Sequence, residues 1–201
     1  MRYRSLNKTV EPTLEPVTLA EAKKHLRVEH DDDDTVVSEC IKAAREWVES
    51  YLDATVMLTK WEMTTDHFPT EIRLPKPPMS KDSSYQTVTV TYMNDSGVVT
   101  TLPTDEYRVD RNAVPGVIRP PYSRSWPAYR ADYNSITITW YAGYATTVDD
   151  VPRVIRSAIL MLMTNYYENR NAMIVGQGIV GMKLEYGLVS LLDSIKWGSY
   201  T

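Results

Sequence analysis

The chain has 201 residues, of which 43% are hydrophobic, and a formal net charge of -4. This length fits one sizeable domain, or a core with one embedded subdomain. The acidic balance argues against a dedicated nucleic-acid clamp, because such proteins neutralise phosphates with clustered Lys and Arg.

The single cysteine, Cys40, excludes an intrachain disulfide and predicts a small buried residue in a reducing compartment. The basic first residues are not followed by the apolar run of a secretory signal. No apolar stretch is long enough to cross a bilayer. We therefore expect a soluble protein of the cytoplasm that does not enter a membrane.

Residues 1–16 are polar, contain two prolines and lack periodicity, which predicts an extended N-terminal arm. Thr18 and Glu21 have the spacing of a capping box, in which each side chain satisfies a free backbone N–H at a helix start. The sequence therefore predicts a short helix that ends near Leu26.

A long amphipathic helix is predicted over residues 35–52, where apolar residues recur at helical spacing. Four aspartates, residues 31–34, stand directly before it. The partial positive charge of a helix start and its free N–H groups favour carboxylates there. A calcium site is the alternative, but the central glycine and spaced ligands of an EF-hand loop are missing. We therefore expect helix capping.

The long middle stretch, residues 55–145, is predicted to consist of strands and turns. Gly97 can adopt the left-handed conformation that closes a hairpin loop. The last strand alternates Ile136, Ile138 and Trp140 with threonines, which predicts a sheet with one buried and one wet face. Alternation of apolar and polar residues places strands near residues 56–63, 72–74, 87–92, 98–102, 107–109, 117–118 and 135–141.

A second long helix is predicted over residues 151–169. Asp149 and Asp150 are expected to cap it, and Pro152 lies in its first turn, where a missing N–H costs nothing. Its apolar stripe is wider than that of an ordinary surface helix. The excess requires a second partner, which could be the β insertion, the first long helix or a neighbouring subunit.

The C-terminal stretch contains four glycines among apolar residues over positions 174–187. A phosphate-binding loop would need a preceding strand, a following helix and more of the motif. A mobile arm that becomes ordered on a partner fits better. We expect this arm to be followed by a short helix over residues 188–196.

No constellation of catalytic, metal-binding or cofactor-binding residues is found in the sequence. The three histidines, His25, His30 and His67, form neither a metal-spaced pair nor a triad. Ser123 and Ser125 lack the strand–turn–helix elbow that exposes a hydrolase nucleophile. We therefore predict neither an enzyme nor a cofactor.

Tyrosine is the remaining signal, with 14 Tyr against one Phe. Tyr combines contact area with a polar tip, which suits interfaces that are partly hydrated. The alternative is that many of these tyrosines lie in the β core with their hydroxyl groups at its edge. The residues predicted at a subunit interface are Trp47, Tyr51, Trp126, Tyr166, Tyr167, Arg170 and Trp197.

Several short motifs in a fixed order resemble the head-to-tail connector (adaptor) proteins of long-tailed bacteriophages and prophages. The resemblance covers about residues 16–195 and points to the larger subfamily, which carries a β insertion between its helices. The tail departs from it, since Lys-Trp-Gly at 196–198 stands where a short, basic close is expected. The motifs are residues 16–27, residues 31–34 leading into 43–48, residues 72–75, residues 125–130, and residues 142–144 before 151–156.

The resemblance implies an α+β protein that completes the head. In it, residues 17–54 and 146–173 form a helical core, residues 55–145 the β-rich insertion, and residues 174–201 a C-terminal arm and short helix. The implied assembly is a ring of twelve subunits on the portal protein, with viral DNA passing through and a neck, tail-terminator or stopper protein below. The residues expected to reach the portal are Ile174, Val175, Gly176, Gly178, Ile179, Val180, Gly181 and Met182.

Two competing hypotheses predict different behaviour. A nucleic-acid-binding or regulatory module of a prophage would bind DNA in a salt-sensitive manner, which the acidic balance disfavours. An enzyme such as a cell-wall hydrolase would need a cleft with convergent titratable groups. In a ring, a mildly acidic channel lining would repel DNA, whereas an ordinary solvated surface would explain the same charge without any such role.

Overall fold

The computed structural model describes residues 3–169 and 180–196 and, in the second range, the side chains from residue 187 onward. Its architecture is α+β, with α-helices and an inserted antiparallel β subdomain, as the sequence predicted. The chain divides into a β unit, Met1–Thr13 with Met57–Thr146, and a helical unit, Leu14–Val56 with Thr147–Thr201.

The β unit contains two antiparallel sheets. The larger has the strand order β1-β2-β8-β4-β5 and the smaller has the order β3-β7-β6. Strands β2 to β8 lie at the seven segments that the alternation predicted. The strands are β1 Ser5–Val10, β2 Thr59–Thr65, β3 Ile72–Leu74, β4 Thr89–Met93, β5 Val99–Thr101, β6 Arg108–Asp110, β7 Gly116–Arg119 and β8 Ile136–Ala142.

Strand β1 corrects the prediction of an N-terminal arm over residues 1–16. It pairs with β2, placing Leu6 opposite Met63 and Lys8 opposite Trp61. The Lys8 ammonium lies 5.7 Å from the centre of the Trp61 ring. A lysine can cover apolar surface with its stem and bind an aromatic face with its charge. Because a lysine occupies this position, the alternation that marks a strand is hidden.

The core of the β unit is built from alternate residues of its strands. Along β2 and β8, every second residue is buried and the residues between are half-buried. The second face of β8 is therefore less wet than predicted. The predicted hairpin is confirmed, since Gly97 has φ +78° and its N–H donates to the Asn94 carbonyl at 2.8 Å. The most deeply buried core side chains include Met63, Ile72, Val90, Ile118, Ile136, Ile138 and Trp140.

The helical unit packs its two long helices against each other and adds two shorter ones. The long helices bury the apolar stripes that the periodicity predicted. The helices are α1 Leu19–Leu26, α2 Asp34–Leu52, α3 Arg153–Glu168 and α4 Val180–Asp193. Their buried residues include Val37, Ile41, Ala44, Val48, Ile155, Ala158, Ile159, Leu162, Leu188 and Leu192.

The predicted capping box at the start of α1 is half right. The Thr18 hydroxyl accepts a hydrogen bond from the Glu21 N–H at 3.2 Å, which caps the helix. The Glu21 carboxylate instead accepts two bonds from Nη2 of Arg156 on α3, at 2.7 and 2.8 Å. A charged partner forms a stronger hydrogen bond than a backbone amide does, so Glu21 joins two helices.

The predicted caps of the two long helices are wrong in detail. Asp33 is the N-cap residue of α2, but its side chain makes no capping hydrogen bond. Asp149 and Asp150 lie in a separate 3₁₀ turn, Val148–Asp150, so they do not cap α3. Pro152 is itself the N-cap residue of α3, one position before the predicted place.

Two further predictions are corrected in the helical unit. Cys40 is half-buried and not fully buried, because its place on α2 is at the flank of the apolar stripe. Helix α4 begins at Val180 and ends at Asp193, so the segment predicted as an arm up to residue 187 is helical from residue 180. Burial of Leu188 and Leu192 outweighs the helix penalty of two glycines, about 1 kcal/mol each.

Arg45 on α2 forms a buried ionic network that holds the ends of the segment 14–56. Its Nε donates to Glu15 at 2.8 Å and its Nη1 donates to Glu49 at 3.1 Å. The Glu49 carboxylate also accepts the Val56 N–H at 2.9 Å. Burial alone would lower the pKa of Arg45, but the hydrogen bond that it donates to Glu15 and the charge of Glu49 raise it overall. Arg45 is therefore charged while it is only 3% exposed.

Glycine is required where the β unit ends. Gly143 has φ +144°, and a Cβ there would lie 2.8 Å from the Leu58 nitrogen and the Met57 carbonyl carbon. Nearby, the Leu58 N–H donates to the Ala145 carbonyl at 3.0 Å. The backbones of the first and last segments of this insertion therefore run side by side, with no room between them for a side chain.

We expect Gly143→Ala to destabilise the protein by roughly 2–3 kcal/mol, because the added methyl group meets backbone atoms that cannot move aside. Urea denaturation measures the change. Gly187→Ala is the matched control. Gly187 is in α4 with nothing within 4 Å of its added Cβ, so the alanine should stabilise the helix by about 0.5–1 kcal/mol. Equal effects of the two changes would contradict this account of Gly143.

We expect Arg45→Ala to cost about 3–5 kcal/mol, because it leaves the buried carboxylate of Glu49 and the partly buried carboxylate of Glu15 without their cation. Arg45→Lys should recover only part of this loss, since an ammonium lacks the planar fork. Glu46→Ala is the control: its carboxylate lies 3.9 Å from Arg45 but is 63% exposed, so the cost should be about 0–1 kcal/mol. Thermal denaturation of the three variants tests the ranking, and a small loss for Arg45→Ala would refute it.

Candidate functional site

A cleft of about 420 Å³ in the β unit is lined by Tyr3, Arg4, Asp66 and His67. No metal centre is formed by the described residues. Among them, no three His, Cys, Asp or Glu side chains converge on a possible metal position. Another cleft, of about 430 Å³, lies in the β unit, beside β6. Carboxylate, imidazole and thiol groups are all missing from its lining, and its one phenol, Tyr107, donates a hydrogen bond to the Val88 carbonyl at 2.6 Å. This cleft therefore lacks an acid–base pair.

Two of the predicted interface aromatics, Trp47 and Tyr51, lie together on α2. Their rings stack with centres 5.4 Å apart and 4° between the planes. The Tyr51 hydroxyl donates to Asp193 at 2.6 Å, which raises the pKa of Tyr51, and the Lys196 ammonium lies 4.3 Å from the ring centre. This cluster fastens the end of α4 to α2.

Tyr166 and Tyr167 near the end of α3 are half-buried. Burial raises the pKa of Tyr166, and the nearby Cys40 adds to the shift. The Tyr167 hydroxyl donates to Asp33 at 2.5 Å, which connects α3 to the start of α2. Arg170 and Trp197, predicted in the same group, lie outside the described residues.

Trp126 lies in the β unit, within a cluster of aromatic rings. It stacks on Phe68 with centres 4.6 Å apart, and its Nε1–H donates to the Pro69 carbonyl at 2.7 Å. Tyr129 meets the other side of this cluster, 5.1 Å from Phe68 and nearly perpendicular to it. The structure therefore gives Trp126 partners within its own chain. Its role at a subunit interface stays a prediction, as it does for the four aromatics on α2 and α3.

The predicted portal-contact residues fall partly on described backbone. Val180, Gly181 and Met182 form the first turn of α4. Ile174, Val175, Gly176, Gly178 and Ile179 lie outside the described residues. The contact with a portal stays a prediction.

The structure adds exposed apolar residues of the β unit that the sequence did not single out. Tyr122 is 99% exposed and Tyr133 is 76% exposed. Val98 and Val99, at the hairpin between β4 and β5, are also mostly exposed. These side chains are available for contacts with another protein, and singly exposed apolar residues are also ordinary on a protein surface. Two adjacent valines directly after a turn could have indicated exposed apolar residues from the sequence. The irregular loop that contains Tyr122 and Tyr133 has no periodicity from which their exposure could have been predicted.

Asp66 fixes the loop that presents Tyr133. Its carboxylate accepts the Asn134 N–H at 2.9 Å and a bond from Arg4 Nε at 2.6 Å. The Arg4 guanidinium in turn lies 5.1 Å from the centre of the Tyr133 ring. The Asn134 N–H, and then Arg4, lower the pKa of the Asp66 carboxyl below its ordinary value of 3.8.

The acidic run at 31–34 is tied into the helical unit. Lys23 of α1 donates to Asp31 at 2.6 Å and to Asp34 at 2.7 Å. The hydrogen bond from Lys23 is the main cause that lowers the pKa of Asp31. Together with the bond from Tyr167 to Asp33, these contacts give three of the four aspartates a partner inside the chain. These aspartates therefore connect α1 and α3 to the start of α2, a role that was predicted neither as helix capping nor as calcium binding.

Charge is divided unequally between the two units. The β unit contains twelve Lys and Arg against ten Asp and Glu, whereas the helical unit contains ten against sixteen. The net charge of the whole chain, -4, is therefore the sum of a mildly basic β unit and a strongly acidic helical unit. Opposite fields on two units of one chain favour contacts between copies. None of the described helices combines the length and apolar character needed to span a bilayer.

Taken together, these features define a protein whose described surfaces suit contacts with other proteins. The family model described as Phage gp6-like head-tail connector protein matches residues 16–95. The resemblance to head-to-tail connectors that the sequence motifs indicated is therefore confirmed over residues 16–95. No curated protein matches the chain.

Solved structures share the fold over almost the whole chain. A chain from the neck of an empty GTA particle, computed with C6 symmetry, is 16% identical with a TM-score of 0.78. A chain from the virion of a native gene transfer agent (GTA) particle is 17% identical with a TM-score of 0.75. A third, from the neck of a native GTA particle computed with C12 symmetry, is 16% identical with a TM-score of 0.75. Each match covers 98% of this chain and 97% of the other.

We expect the stability of the β unit to depend on pH through Asp66. Its folded pKa is lowered, so the stabilisation is complete above pH 3.8 and is lost as the pH falls through the folded value. Asp66→Asn should therefore reduce stability near neutral pH and flatten its decline in acid.

Urea denaturation at about pH 6 and about pH 3 measures this difference, and NMR titration of the Asp66 carboxyl measures its pKa directly. Asp105→Asn, a change at an exposed carboxylate of the same unit, is the control and should leave the decline unchanged. An Asp66 pKa at or above 3.8 would contradict the assignment.

Proposed function

We propose that this protein is a structural head-to-tail connector of a tailed phage-like particle. In this role it forms a ring on the portal, extends the DNA channel and offers a platform for the next neck or tail protein. The observation that carries the proposal is the connector family model over residues 16–95, which include α1 and α2. The fold shared with neck chains over 98% of this chain supports it independently.

The symmetry of the similar structures supports the proposed ring. The similar structures were computed with C6 and C12 symmetry, so copies around an axis are the natural expectation for this chain, with twelve as the proposed number. The exposed Tyr122, Tyr133, Val98 and Val99 supply apolar surface that contacts between copies would bury. The proposed role requires neither acid–base nor metal chemistry.

The portal contact is proposed for the segment that leads into α4, from Ile174 to Met182. Helix α4 is anchored in the helical unit by buried Leu188 and Leu192 and by the bond between Tyr51 and Asp193. An anchored helix behind a binding segment reduces the ordering cost when the segment binds. The connector would therefore hold the portal through a segment whose C-terminal end is fixed.

DNA passage through the ring needs no sequence-specific binding. The helical unit carries six more acidic than basic residues. If this unit lines the channel, its carboxylates would repel phosphates and let DNA slide. In this role the protein works in the virion neck, after assembly in the host cytoplasm.

Negative-stain imaging of the protein mixed with its portal tests the function. We expect portal particles to acquire an additional ring of density, with the symmetry of the portal. The purified protein alone does not decide the matter, because rings can depend on the portal for their stability. Portal particles that stay bare over a wide range of protein concentration would refute the connector role.

Deletion of residues 174–179 tests the proposed portal segment. We expect the variant to keep its helix content and melting temperature, because the anchors of α4 are retained, but to lose portal docking. A second variant replaces the same six residues with six Gly and Ser residues. Because its segment keeps the original length, it separates the loss of side-chain contacts from the effect of a shorter segment. Unimpaired docking by both variants would contradict the role of this segment.

A further inference from the structure

The outer face of the three-stranded sheet carries a concentration of arginines. On one side of this sheet, β3 and β7 bury Ile72, Leu74 and Ile118, and β6 adds the half-buried Val109. On the opposite side, alternate positions are occupied by Arg73, Arg108 and Arg119, all of them exposed. We call these three residues the arginine face.

Two of these arginines stand directly opposite each other. Arg108 of β6 pairs with Arg119 of β7 in the antiparallel register. Like charges in directly opposed positions of a sheet repel each other and destabilise the pairing. The pair therefore opposes the folding of its own hairpin, and a protein retains such an arrangement most readily when an anionic partner offsets it.

Neither guanidinium finds that partner within the part of the chain that the structure describes. Arg73 is paired with Glu71 at 2.9 Å, but no described carboxylate lies within 4.0 Å of Arg108 or Arg119. Asp110, on the same face, uses its carboxylate to accept the N–H groups of Asn112 and Ala113 at the turn. Exposed guanidinium forks suit carboxylates or phosphates, which they bind in pairs of parallel hydrogen bonds.

The carboxylates that match this face are abundant on the other unit of the same chain. The helical unit has sixteen acidic against ten basic residues. In the loop between α1 and α2, Glu29 and Asp32 are exposed, and the Asp32 side chain is 96% accessible. A surface of one sign on each of two units fits a head-to-tail contact between identical chains, which closes into a ring when the rotation permits.

We propose that the arginine face of one copy docks on the acidic helical unit of a second copy, with Arg108 and Arg119 facing the loop that contains Glu29 and Asp32. The inference rests on the proposed ring and specifies which surfaces meet in it. Because the contact is ionic and lies at the protein surface, its strength falls as salt screens the charges.

The test compares single charge reversals in the complete chain, scored as the fraction of portal particles that carry a ring. We expect Arg119→Glu to lower this fraction at least about tenfold, because it places like charges against the acidic loop. Its fold should survive, since the change converts an Arg–Arg pair into a Glu–Arg pair and should leave the melting temperature equal or higher. Lys81→Glu, an equal change of charge at an exposed position outside the face, should leave the ring unaffected.

Complementation makes the test specific for two copies of this chain. Asp32→Arg alone should also lower ring formation, because it opposes the arginine face of its neighbour. A one-to-one mixture of the Arg119→Glu and Asp32→Arg proteins should restore rings, because alternating copies then present opposite charges at every contact. Raising salt from about 0.05 M to about 0.5 M should weaken assembly of the wild type.

The outcomes separate this inference from the function on which it rests. Wild-type rings on the portal with no loss in either variant would overturn the inference and leave the connector role intact. Variants that lose binding to a 30-base-pair DNA duplex but still form rings would assign the arginine face to phosphates instead, and would also overturn it. Failure of the mixture to restore rings would contradict the pairing of Arg119 with Asp32, and bare portals with the wild type would refute the connector role itself.

Discussion

One buried cation, Arg45, ties together three parts of the helical unit. Its guanidinium binds Glu15, in the segment that precedes α1, and Glu49, one turn further along α2. Glu49 in turn holds the Val56 N–H, in the last residue before the chain enters the β unit. A purely apolar side chain at position 45 could fill the same space but would leave the carboxylates of Glu15 and Glu49 without their charge partner. The network therefore holds together the two ends of the segment 14–56, which contains α1 and α2.

This constraint explains why periodicity predicted the helices better than their ends. The apolar stripes of α2 and α3 are repeated every three to four residues, so helical spacing revealed them directly. Caps depend on which partner a carboxylate finds in space. Glu21 binds Arg156, 135 residues away, and Asp33 binds Tyr167, 134 residues away. No local pattern contains that information.

The strands show the same division between local and distant information. Seven segments with alternating residues were located, but their division into two sheets and the order β1-β2-β8-β4-β5 depend on pairings between remote segments. Strand β1 was not predicted, because Lys8 occupies an inward position beside Trp61, where an apolar residue would have marked a strand. The first two turns of helix α4 were predicted as part of an arm, because the glycines at 181 and 187 disfavour a helix. The burial of Leu188 and Leu192, which stabilises it, is not visible in the sequence.

The interface predicted from the aromatic residues stays a prediction, and the sequence did not reveal which tyrosines are exposed. An excess of tyrosine indicated an interface, yet Tyr51 and Tyr167 use their hydroxyl groups within the chain. The most exposed tyrosines, Tyr122 and Tyr133, lie in a loop that offers no spacing rule. The sequence motifs that resemble head-to-tail connectors indicated the class of function, which no arrangement of reactive groups could have done. The arginine face required the register of β6 and β7, which pairs Arg108 with Arg119.

The order of the elements along the chain also governs how the protein is made. One hundred residues, 53–152, separate α2 from α3. At ribosomal rates of about 5–20 residues per second, α2 waits roughly 5–20 s for the helix that covers its apolar stripe. During that interval the strands of the β unit emerge and can pair, from β2 through β8, while the stripe of α2 stays open to chaperones. The two long helices can pack together only after α3 has left the ribosome, so the helical unit is completed after the strands of the β unit have been made.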